Sequence, residues 1–112
     1  MTPMCVVLTT AGSSEEGKKI AHALVERRLA SCVNIVPRIE SVYRWKDQVE
    51  TAEEWLLLIK TRSDAFERVC AAIEELHSYE LPECIMLEIA GGSQKYLDWI
   101  EDWIGDSPEN SL

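Results

Sequence analysis

Three groups of side chains in this 112-residue chain have the types and spacing to do chemistry. The first is Trp45, Glu50, Glu53, Glu54 and Lys60. Lys60 ends the apolar run Leu56-Leu57-Leu58-Ile59, so its ammonium is expected at a strand end partly removed from water. A desolvated lysine beside glutamates can anchor an anion or change its own proton affinity. The same residues also suit a plain cross-strand ion pair at a solvated hairpin edge. The second group is His77-Ser78-Tyr79-Glu80-Leu81-Pro82-Glu83, which packs an imidazole, a phenol and two carboxylates into one short segment. Carboxylate and imidazole suit divalent cations. The segment lacks the helical HExxH spacing, and His77 equally fits a helix C-terminus, where it complements the dipole ahead of a proline-fixed turn. The third is Cys32, within Ala30-Ser31-Cys32-Val33. A strand cysteine beside valine is either a small buried hydrophobe or a ligand or redox thiol.

Other features narrow the classes. P-loop, GxGxxG and GxSxG signatures are absent from the sequence, and no enzyme activity is expected. The formal net charge of −9 repels phosphate backbones and anionic lipid and attracts cations, so neither nucleic acid nor membrane is an expected partner. The four cysteines are scattered without CxxC spacing, so reduced thiols are expected, with Cys5, Cys70 and Cys84 serving as packing residues. Met1-Thr2-Pro3-Met4 runs into an apolar strand without a basic n-region, which makes a cytoplasmic location the expectation.

The elements that must position these groups follow from periodicity. Met4 to Thr10 is β-branched and apolar and reads as a strand. Ser13 with Glu16 forms a capping box for a helix whose stripe is Ile20, Ala21, Leu24 and Val25. Ser31 to Val36 and Ile39 to Trp45 are extended around Pro37, which restricts them to an edge or a bulge. Lys46-Asp47-Gln48 is the expected turn, and the next strand is strongest from Trp55 to Ile59. Ser63 is placed to cap a helix with the stripe Phe66, Val69, Cys70, Ile73 and Leu76. A loop at His77–Pro82, a strand at Cys84–Ala90, a break at Gly91-Gly92 and a last helix from Ser93 or Gln94 complete the order, with a frayed tail over Asp106–Leu112.

That order, βαββαβ plus a C-terminal helix, predicts an α+β ferredoxin-like fold with an antiparallel sheet and a long β2–β3 hairpin. The whole chain reads as one domain with its core at about residues 4–104. A sheet covered by helices on one face alternates apolar and polar residues when its other face meets water. Here Val6-Val7-Leu8, Leu56 to Ile59 and Ile85-Met86-Leu87 are apolar at consecutive positions. A second apolar face of that size needs a cover. The last helix can supply part, and a neighbouring subunit the rest.

Several stretches carry a resemblance. They are Glu26 to Pro37 (ERRLASCVNIVP), Ser41-Val42-Tyr43-Arg44-Trp45 continuing through Glu50 and Glu54 to Ile59-Lys60-Thr61, the segment His77 to Glu83, and Tyr96-Leu97-Asp98-Trp99. In this order and spacing the chain resembles the CutA family, the divalent-cation-tolerance proteins. The resemblance implies a tight homotrimer of PII-like architecture, with hairpins paired across subunits and clefts between them. It implies a non-catalytic role in the response to metal ions or to a small organic ligand, with copper or another divalent cation as the expected metal. The intersubunit cleft would then be lined by Trp45, Glu50, Glu54, Lys60, Tyr79 and Glu83, and Cys32 or His77 would contact copper. The alternative is a structural trimer that anchors another protein and binds no ligand. Two enzyme or chaperone readings of the same fold are opposed: Thr9 to Ser14 has no arginine for an acylphosphatase loop, and Cys5 lacks a CxxC partner. The chain departs from the family pattern at Asp47, Ser78 and Cys84, where Gly, Pro and Ile or Val are usual.

Overall fold

Residues 3–105 are described by the computed structural model, so the tail expected over Asp106–Leu112 lies outside the described residues. Strand β1 (Met4–Ala11) leads into helix α1 (Ser14–Glu26), then β2 (Cys32–Trp45), β3 (Gln48–Arg62), α2 (Phe66–Leu76), β4 (Ile85–Glu88) and α3 (Gln94–Asp102). The sheet order is β2-β3-β1-β4, with antiparallel neighbours throughout. This is the ferredoxin-like arrangement expected from the element order.

Local chemistry explains most boundaries. Ser13 Oγ accepts the Glu16 amide at 3.1 Å, as the capping-box spacing predicts. α1 ends when Arg28 adopts φ 61° and the amides of Leu29 and Ala30 turn back to Leu24 O. Lys46 and Asp47 carry φ 51° and 66°, and Trp45 pairs with Gln48. The turn is therefore the two residues Lys46-Asp47, in a conformation that matches strand twist. Asp tolerates it because its short polar side chain can bond locally. β2 runs unbroken past Pro37, because the register shifts between Val36 and Ile39 and β2 is an edge strand.

Four sequence expectations change. Val25 is 42% exposed and leaves the α1 stripe. Ser63 does not cap α2; a 3-10 turn, Ser63–Ala65, precedes the helix and no side chain caps it. The last strand is Ile85–Glu88 rather than Cys84–Ala90, and Cys84, just ahead of it, is bonded to Cys70 of α2. That bond also overturns the expectation of four reduced thiols; Cys5 and Cys32 are free.

The core lies between the sheet and the pair α1 and α2. Val7, Leu57 and Ile59 on the strands meet Ile20, Leu24, Val69 and Ile73 on the helices, all fully buried. Gly17, on the sheet-facing side of α1, is another buried position. A β-carbon there would sit 3.5 Å from Leu57 Cδ1, an ordinary contact. Gly17→Ala is therefore expected to stabilise the chain by about 0.5–1 kcal/mol through helix propensity, read by urea unfolding.

The other sheet face carries Val6, Leu8, Leu56 and Leu58, which alternate with core residues along their strands. α3 touches β3 and β1, and the Ser31 hydroxyl bonds Ile100 O. Beyond the helix, Val36, Ile85 and Leu87 stay 38%, 50% and 53% exposed. Among the described residues no helix is long and apolar enough to cross a membrane.

Candidate functional site

A cleft of about 620 Å³ opens on the sheet face away from α1 and α2. Its floor comes from Thr10 of β1, Glu54 and Leu56 of β3, and Ile39, Ser41, Tyr43 and Trp45 of β2. Its wall is the loop between α2 and β4, which contributes Tyr79, Glu80, Leu81 and Glu83. Three aromatic rings and three carboxylates thus face one space, and among the described residues no lysine or arginine lines it. Lys46 lies at the hairpin tip, 5.8 Å from the Trp45 ring centre.

Glu54 is the best-fixed polar group in the cleft. It is only 7% exposed, and the Tyr79 hydroxyl donates to its Oε2 at 2.8 Å. Burial, together with that bond and the Glu54 charge, pushes the Tyr79 phenol well above its ordinary range, so it stays a donor. Glu83 is raised as well, first by burial and then by the charge on Glu54. Two carboxylates thus share a partly dry space without a positive neighbour, and a bound cation would relieve both.

His77 holds the loop to the sheet. Its Nε2 lies 2.6 Å from Thr10 O, and a carbonyl only accepts, so Nε2 carries the proton. Nδ1 accepts the Tyr79 amide at 3.1 Å. Both ring nitrogens are thereby committed, and the side chain is fully buried. The Glu16 carboxylate lies 3.9 Å from Nδ1, beyond hydrogen-bond distance. Glu16 instead accepts the Ser78 amide at 2.9 Å. Burial alone would raise the Glu16 carboxyl, but bonds from Ser78, with lesser help from His77 and Gly12, outweigh it and hold Glu16 below its ordinary value of 4.5. A lowered folded value stabilises the fold above the unfolded pKa and is lost as pH falls. The expected result is that Glu16→Gln narrows the stability gap between pH 7 and acid below about pH 4, measured by urea unfolding at each pH.

The structure gathers Trp45, Glu54, Tyr79 and Glu83 in the cleft, but not Glu50 or Lys60. Glu50 is exposed and pairs with Tyr43 nearer the hairpin tip. Lys60 lies opposite Cys32 across the β2–β3 ladder and donates to Asn34 Oδ1. It is neither a cleft residue nor an ion pair with the hairpin glutamates. Cys32 and His77 do not meet within this chain. His77 bonds at Thr10, which pairs with Leu56, whereas Cys32 pairs with Lys60. Four residues of strand separate these points, about 13 Å. Cys32 lies instead beside Tyr96 of α3, whose phenol is raised by burial and then by the Cys32 charge and bond. Among the described residues no three His, Cys, Asp or Glu side chains converge as a metal cage. Within this chain Cys32 and His77 are too far apart to share one ion, and the cleft offers oxygen ligands. Tyr43, Leu81 and the Ile39/Ser41 floor were missed by the sequence reading. Their signal was the alternation Ile39, Ser41, Tyr43, Trp45, which puts all four on one strand face.

Comparison with known proteins bears on this geometry. The family model described as "CutA1 divalent ion tolerance protein" matches residues 5–103. The divalent-cation tolerance protein CutA of Thermus thermophilus is 48% identical over 89% of this chain and 97% of its own length. The chloroplastic protein CutA of Arabidopsis thaliana is 47% identical over 89% of this chain, which spans only 55% of that longer protein. The crystal structure of CutA1 from Oryza sativa superposes with a TM-score of 0.92 at 42% identity, covering 95% of this chain and 97% of that one. A match through all three helices, all four strands and the cleft loop, at this level of identity, means that the chain belongs to the CutA1 divalent ion tolerance family.

Proposed function

We propose that the protein is a homotrimeric, non-catalytic cation-responsive protein whose ligand site is the cleft around Glu54 and Glu83. The observation that carries the reading is the carboxylate pair itself: Glu83 is raised by burial and by Glu54, and among the described residues no basic side chain lines the cleft. Carboxylate and phenol oxygens suit hard divalent ions such as Mn(II) over a thiol-seeking ion. Two carboxylates from one chain give a weak and unselective site, and a neighbouring subunit would supply further ligands. Trimer formation is supported by the exposed apolar residues Val36, Ile85 and Leu87 on the uncovered sheet face. Burying each would contribute roughly 1.5–3 kcal/mol. Members of the family are named for tolerance of divalent cations, which agrees with a site of this charge. A cytoplasmic location belongs to the same reading, and fractionation of cells expressing the tagged chain checks it.

The test is a calorimetric Mn(II) titration, with molar mass from light scattering in the same solution. Saturable binding by a species of three chains is expected. Because Glu83 must lose its proton to bind and its pKa is raised, affinity should fall as pH drops through that raised value. Glu83→Gln should weaken binding about tenfold and flatten this pH dependence. A monomeric mass, or heat changes identical in wild type and Glu83→Gln, defeats the reading.

A further inference from the structure

We propose that Cys70 and Cys84 are a reversible thiol–disulfide site that sets the mobility of the cleft's loop wall. The two cysteines are joined in the structure, fourteen positions apart in sequence. Their Cα atoms are 6.1 Å apart, inside the span of about 4.4–6.8 Å that a disulfide bridges without backbone movement. Cys70 stands on α2, whose neighbouring residues Val69, Ala72 and Ile73 are buried against the sheet. Cys84 immediately precedes β4. The covalent ring therefore runs from a fixed helix, around the segment His77–Glu83, to the start of an edge strand.

That segment has no regular structure of its own. At its N-terminal end the Ser78 amide is held by Glu16 and the Tyr79 amide by His77 Nδ1. Toward its C-terminal end, Leu81 is 73% exposed, and the Cys70–Cys84 bond supplies the covalent anchor just past Glu83. A loop tied by side chains at one end and by sulfur at the other opens locally when either tie is released. Both cysteines are half-buried rather than sealed in the core, so a small thiol can reach them through local opening. The reaction is an exchange with a glutathione-type disulfide. The two cysteine thiols give up two protons and two electrons, one protein S–S bond forms, the S–S bond of the oxidant breaks, and two small thiols leave. The reverse reaction reopens the ring. In a reducing compartment such pairs are transient and regulatory rather than permanent. The effect on ligand binding rests on the cleft being the ligand site; the thiol chemistry and the loop's motion do not.

The whole chain, equilibrated in buffers of graded reduced-to-oxidised glutathione and quenched with maleimide, reports the oxidised fraction by mass. Amide exchange by NMR on the fully oxidised and fully reduced protein reports the loop. A single two-electron step is expected, absent in Cys84→Ile and retained in Cys32→Ser. Reduction should speed exchange at the Ser78 and Tyr79 amides by about tenfold or more, while the Val7 and Ile59 amides hold. Cys84→Ile should behave as the reduced form in every buffer. Equal exchange at Ser78 and Tyr79 in both forms overturns the proposal, as does a pair that stays bonded, or stays open, across all ratios. A Mn(II) titration of the same two forms separates the readings. If it is blank, the cleft function fails and the thiol result stands.

Discussion

Leu57→Ala is expected to destabilise the chain by about 2–5 kcal/mol, the range for emptying a leucine site in a packed core. Leu57 is fully buried on β3, with Thr9 of β1 on one side and Ile35 of β2 on the other. It also lies beneath Gly17 of α1. Strands on both sides and a helix above leave the site few ways to collapse, which places the loss toward the upper part of that range. Val25→Ala is the control: Val25 is 42% exposed on the far side of α1, so a change within about 0.5 kcal/mol is expected. Urea unfolding with the two variants side by side measures the contrast. Equal losses would mean that the core does not lie between the sheet and the two helices.

The second large effect belongs to Glu54. Glu54→Ala should lower Mn(II) affinity by roughly 10–100-fold, the equivalent of one lost charge-assisted contact. It removes one of the two carboxylates and leaves the Tyr79 hydroxyl without its acceptor. Glu54→Gln keeps an acceptor for Tyr79 but not the charge, so the pair of variants separates loss of charge from disorder of the loop. Titration calorimetry gives the affinity, and Tyr79 amide exchange shows whether the wall has moved. Removal of Glu54 also takes away the charge that helps raise Glu83, so the remaining pH dependence should shift toward lower pH. Unchanged affinity in both variants would place the cation elsewhere on the acidic surface.

How much of this was legible in the sequence differs by kind of signal. Local patterns carried well. The Ser13–Glu16 cap, the α2 stripe and the apolar runs on both strand faces depend on neighbours a few residues apart, and the structure has each of them. Ser63 failed for a physical reason. A 3-10 turn takes its place at the helix entrance, and no side chain caps the helix that follows. The site was half legible. Glu50, Glu54 and Lys60 share one strand parity, so periodicity alone groups them. Reach along the strand separates them, because the loop wall arrives only beside Glu54. The Cys70–Cys84 bond was invisible, since it depends on how far the chain travels between α2 and β4.

The register shift at Val36 to Ile39 has a consequence for which side chains enter the cleft. Upstream of it, the residues of β2 that share a face with Leu56 and Lys60 have even numbers: Cys32, Asn34 and Val36. Downstream, the residues that share a face with Glu54 have odd numbers: Ile39, Ser41, Tyr43 and Trp45. The extra residue acts as an inverter, exchanging the two sides of the strand at one point. At this chain length, regular pairing without the bulge would bring Arg38, Glu40, Val42 and Arg44 to the Glu54 face and turn Tyr43 and Trp45 away, whereas deleting Pro37 would remove the bulge and leave both rings in place, because Ile39 would still pair with Glu54. The aromatic side of the cleft is thus encoded by the pairing register of the strand as much as by the aromatic residues themselves.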